Sequence, residues 1–189
     1  MTSIQRVFVN EGVFGLLDGG VIASESADWS NGLVAPMTQG ALISTGINTG
    51  LVQVTIQSRN DEPKETPADS WEEIVEVSVH APTGQLRVES LELGPADDDS
   101  TLISPAEPAC YRARVHARGR EILRDRVSME PVEDYLLVVW PAPQGDTTIL
   151  CTSNRIQQSL DAPHVSPAKL PEISGELNPS IRKPIDPKL

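Results

Sequence analysis

The residues best placed by type and spacing to do chemistry lie between Cys110 and Arg120, in the run CYRARVHARGR. Arg112, Arg114, His116, Arg118 and Arg120 alternate with Ala113, Val115, Ala117 and Gly119, so an extended strand puts the basic groups on one face and small residues on the other. A row of guanidinium groups suits two tasks: binding an anion, or neutralising carboxylates on neighbouring strands of its own sheet. Internal charge balance is the preferred reading, with Glu72 and Glu76 as the expected facing groups. An anion site is the alternative.

The other chemistry-bearing types are scattered. The three histidines, His80, His116 and His164, stand far apart, one inside the arginine run and one near the carboxyl end, and this spacing supplies no triad or metal set. Cys110 and Cys151 lack any C-x-x-C or Cys/His ligand spacing and read as two buried thiols. Asp97, Asp98 and Asp99 are consecutive, whereas a calcium loop needs acids at alternate positions, a central Gly and a final Glu. The GINTG stretch, Gly46 to Gly50, has the glycines of a phosphate cradle, but a strand follows it and no Lys does, so it reads as a turn. Nucleophile-elbow, Walker and zinc-protease signatures are absent from the chain. The expectation is a protein that is not an enzyme and has no cofactor or metal.

Charge says more. The formal net charge is -12, and residues 1 to 152 carry ten basic against 23 acidic residues. Six of those ten bases fall between Arg112 and Arg126, so the rest of the body is strongly acidic. Such a field repels nucleic acid and attracts a basic protein. The expected partner is a basic protein, bound through Glu72, Glu73 and Glu76 together with the Asp97, Asp98 and Asp99 loop; the basic run Arg112 to Arg120 is the alternative site. Direct nucleic-acid binding is not expected. No apolar run approaches the roughly 20 residues of a membrane helix, and the amino terminus lacks the pattern of a signal peptide, so a cytoplasmic location without membrane contact is expected.

Positioning these residues requires strands. Runs rich in Val, Ile and Leu, punctuated by Gly and Pro, outnumber any helical periodicity, and they predict an all-β antiparallel sandwich over residues 1–152. Predicted hairpins join 12–17 to 21–23, 41–45 to 51–57 through GINTG, and the strand opening at Trp71 to 86–93 through Pro82–Gly84. Val52, Val54, Ile56, Val75, Val77, Val79, Leu137 and Val139 are the expected core, and the run from Tyr135 to Trp140, apolar on both faces, is the expected central strand. Trp29 is expected to plug the core beneath a loop, and 58–70 to be an exposed, unanchored loop. Residues 153–189, with six prolines and no sustained apolar period, are expected to be a disordered or loosely docked tail.

Laid out in order, these pieces resemble the competence protein J family of DNA-entry nuclease inhibitors. The resemblance covers about residues 5 to 140: QRVFVN, Trp29, GALISTG leading into GLVQVTIQS, a Pro-rich loop, WEEIVEVSV ending near GQLRVES, and a strand led by Tyr111. It implies a β-sandwich and a non-catalytic protein that binds and blocks a partner such as a nuclease. It assigns no residue a role. The alternatives are a structural or accessory component of a bacterial or phage assembly, and a hydrolase working through carboxylates.

Overall fold

In the computed structural model, residues 1–64, 70–95, 102–104, 109–153 and Gln157 are described. They form two packed sheets of mainly antiparallel strands, as the alternating pattern requires. The larger sheet has the order β1 (Thr2–Val9), β5 (Thr49–Ser58), β11 (Asp134–Pro141), β9 (Ala109–Arg118), β6 (Glu73–Ala81), β12 (Thr148–Cys151), and a short β10 (Val127–Ser128) also pairs with β5. The smaller sheet runs β3 (Val34–Pro36), β4 (Ala41–Ser44), β2 (Val13–Asp18), β7 (Leu86–Ser90), β8 (Gly94–Pro95).

All eight residues expected in the core are buried, joined by Val7, Phe14, Leu16, Ile43, Ala113 and Val115 from both sheets. Each buried Val, Leu or Ile contributes about 1.5–3 kcal/mol of transfer free energy. Phe14 meets Tyr135 edge to face across the sandwich, centroids 5.2 Å apart. Strand β11 lies between β5 and β9 with Val138 and Trp140 buried on the face opposite Leu137 and Val139, so it is the doubly covered strand its composition predicts.

The predicted hairpins are corners instead. GINTG connects β4 of the small sheet to β5 of the large one, and Pro82–Gly84 connects β6 of the large sheet to β7 of the small one. Residues 21–23 form no strand, and β2 pairs with β4 and β7. The side-chain alternation is the same in either arrangement, and only the partner differs. Asp18, fully buried, fixes one corner by accepting hydrogen bonds from the Thr83 amide at 2.7 Å, the Thr83 hydroxyl at 2.8 Å and the Gln85 amide at 2.6 Å.

A second correction concerns 58–70. Strands β5 and β6 run in the same direction, since β11 is parallel to β5 and two antiparallel steps lead from β11 through β9 to β6. The chain leaving β5 at Ser58 must therefore recross the sheet to enter β6 at Glu73. It does so over the outer face, anchored by buried Pro63, by Glu62 on Arg114 and by Trp71 against His116; residues 65–69 lie outside the described part. Trp29 is no core plug either, being 39% exposed.

Candidate functional site

The arginine run is strand β9 with one departure. Ala113, Val115 and Ala117 enter the core, while Arg112, Arg114 and His116 turn to the outer face, where they are nonetheless buried, at 7%, 5% and 1% exposure. Beneath the crossing strap, Glu76 on β6 receives Arg112 Nη2 at 2.8 Å and Arg114 Nε at 2.9 Å, one carboxylate oxygen each. Arg112 also donates to the Gly145 and Asp146 carbonyls, and Arg114 stacks over Trp140 at 5.4 Å. Arg118, half-exposed at the strand end, pairs with Asp134 at 2.7 Å and covers the Trp71 ring at 5.1 Å. The expected internal pairing is thus in place at Glu76.

Arg120 does not continue the row. Gly119 has φ +83°, and a Cβ there would overlap the Val132 carbonyl, so the chain turns where only glycine fits. Arg120 swings between the sheets and forms a fully buried ion pair with Glu73, with further bonds to Ser44 Oγ at 3.1 Å and toward the Gly32 carbonyl. Glu73 therefore shares the phase of Val75, Val77 and Val79 and points inward, at 2% exposure. Its other oxygen accepts the Ser153 hydroxyl at 2.5 Å.

This corrects the expected acidic face. Of Glu72, Glu73 and Glu76, only Glu72 is exposed, and it accepts the Gly119 amide at 2.9 Å; Glu73 and Glu76 are committed to arginines inside the fold. Asp97, Asp98 and Asp99 lie outside the described residues, as does the tail beyond Ser153 apart from Gln157.

Next to the buried pair stands a group that sequence reasoning missed. Glu133, 1% exposed, accepts the Ile47 amide at 2.5 Å, the Gly46 amide at 2.9 Å and the Tyr135 hydroxyl at 2.5 Å. GINTG is thus an anion cradle filled by the protein's own carboxylate. Burial, and then the Glu133 charge, push the Tyr135 phenol well above its usual range, so it stays a donor. Nothing in the run PVEDY distinguishes Glu133 from a surface acid.

The remaining chemistry-bearing groups are spent or quenched. His116 Nδ1 lies 3.1 Å from the Leu136 carbonyl and must donate to it, while Trp71 covers the ring at 5.5 Å. Desolvation lowers the imidazole pKa, with the Arg114 charge adding to it. Cys110 pairs beside His80 and Cys151 beside Ile74, six residues apart along β6 or about 20 Å, so the two free thiols do not meet. Burial raises the Cys110 thiol, which keeps it protonated. Among the described residues no three His, Cys, Asp or Glu gather as a metal ligand set, and no helix is long and apolar enough to cross a membrane.

No protein-family model matches the chain, and no curated protein matches it. In fold it is similar to two solved structures. One is "Crocagin biosynthetic gene J", at 14% identity and a TM-score of 0.46, covering 76% of this chain and 99% of that one. The other is ComJ from Bacillus subtilis, described as an inhibitor of the DNA-degrading activity of NucA, at 15% identity and a TM-score of 0.47, covering 74% of this chain and 96% of that one.

Proposed function

We propose that this is a non-catalytic binding protein that docks its acidic surface on a basic protein partner, with a nuclease as the leading candidate. The observation that supports the reading is the inward pairing of the arginines. Arg112, Arg114 and Arg120 are buried against Glu76 and Glu73, so two of their three charges are neutralised inside the fold. Among the described residues eleven exposed acids then face six exposed bases. A nuclease cleft is built to hold phosphates and is basic, so carboxylates fit it and steer its approach.

NucA is the probe, because ComJ inhibits it. The full chain is expected to slow DNA degradation by NucA, and raising NaCl from 50 to 500 mM to reduce the association rate more than the dissociation rate, since the screening length is only about 8 Å at physiological strength. Replacing Asp97, Asp98 and Asp99 by Asn removes three charges at constant size and is expected to slow association several-fold with the melting temperature unchanged. Association indifferent to both salt and the triple replacement would refute the acidic-surface reading.

A further inference from the structure

We propose that the free edge of β1 and the apolar groove beside it take up an extended segment of the partner, added as a strand, with apolar side chains in the groove and basic residues flanking them. The proposal rests on the preceding reading that the partner is a basic protein, and it names where and how that partner docks. Strand β1 ends the larger sheet and, among the described residues, pairs on one side only; β8 ends the smaller sheet. Between these two edges lies a concavity of about 300 Å³ lined by Arg6, Phe8, Leu51, Leu93 and Pro95.

The register extends its apolar floor. Phe8 on β1 pairs with Leu51 on β5, so the two half-buried side chains share one face beside the edge. Leu93, at the groove, is 67% exposed. Its backbone is nevertheless pinned, since the Leu93 amide donates to Ser90 Oγ at 3.2 Å. An apolar groove beside an open strand edge is what strand addition requires, since the main chain supplies the bonds and the groove sorts alternate side chains.

The charge selects the occupant. Glu92 adjoins Leu93 and Glu11 follows β1, both exposed; Arg6 is the cation at the groove. On a chain of net charge -12, an apolar segment with basic flanks is drawn in and an acidic one is repelled.

The probe is a labelled decapeptide alternating Val or Ile with Lys, compared with its Glu counterpart and with a version N-methylated along one edge. Fluorescence anisotropy with the full chain is expected to show the Lys peptide binding at least tenfold more tightly than either. Amide exchange of residues 2–9 should slow on binding, and Leu93→Gln should weaken binding several-fold at an unchanged melting temperature. Equal binding by the Glu or N-methylated peptide, unprotected β1 amides, indifference to the Leu93 replacement, or a chain that sediments as a dimer through this edge overturns the proposal. Should the peptide fail while association with NucA stays salt-sensitive in Leu93→Gln, the groove is wrong and the acidic-surface reading stands. Should the peptide bind while no basic protein does, that reading falls and the groove stands.

Discussion

At the scale of single residues, the acids divide by phase and depth rather than by sequence run. Glu72, Glu73 and Glu76 sit within five positions, yet one is exposed, one is buried between the sheets and one bridges two arginines on the outer face. Glu133 meets two consecutive backbone amides and a buried hydroxyl. Glu133→Ala leaves two buried amides without an acceptor, each costing about 1–3 kcal/mol, and the Tyr135 hydroxyl with only the Ser44 carbonyl at 3.4 Å, and is expected to destabilise the protein by about 2–5 kcal/mol in urea titration. Glu133→Gln keeps one acceptor oxygen and should fall between. A loss below about 1 kcal/mol for the alanine variant would show that the GINTG corner relaxes around water. The arginine alternation was readable because period two fixes a face, and it failed at Arg120 because the positive φ of Gly119 breaks the period. The Glu133 cradle was not readable, since an acceptor is chosen by a segment some 86 positions away.

At the scale of elements, the strap between β5 and β6 converts an arginine row into a buried layer. Its sequence, rich in Asp, Glu and Pro, predicts a free loop, and only the parallel relation of β5 to β6 reveals that it must recross the sheet. His116 reports on that closure, because Trp71 from the end of the strap covers it and Arg114 and Arg118 flank it on the same face. Its folded pKa lies below the ordinary 6.5, so below that pH the unfolded chain binds a proton that the folded chain refuses. This contribution is therefore full above about 6.5 and is lost as pH falls toward the lowered folded value. Between pH 7 and pH 5 the wild type should lose more stability than His116→Gln, and amide exchange of the Trp71 segment should quicken in the wild type alone. Parallel pH profiles for the two proteins would show that the imidazole is already solvated.

At the scale of the whole molecule, the all-β class and the core were legible because each strand carries its own alternation. The assignment of strands to sheets was not, since a Gly or Pro turn joins neighbours in one sheet or turns a corner between two with the same residues. The seam between the sheets is closed partly by Arg120 and Glu73, and Ser153 completes that seam from the start of the tail. The position of a truncation therefore matters to within one residue. A chain ending after Ser153 keeps the hydroxyl on Glu73 and is expected to melt within about 2 °C of the full protein. Ending after Thr152 removes a hydrogen bond to a buried charged group, worth about 1.5–3 kcal/mol, and should lower melting by several degrees at about 2–4 °C per kcal/mol for a body of this size. Residues 153–189 hold five basic and four acidic residues, so either truncation leaves the acidic field almost unchanged. The salt dependence of association should then match that of the full chain in both. If ending after Ser153 already lowers melting strongly, the tail packs on the body and the boundary at 152 is misplaced; if it alters the salt dependence instead, the basic residues of the tail shield the acidic surface.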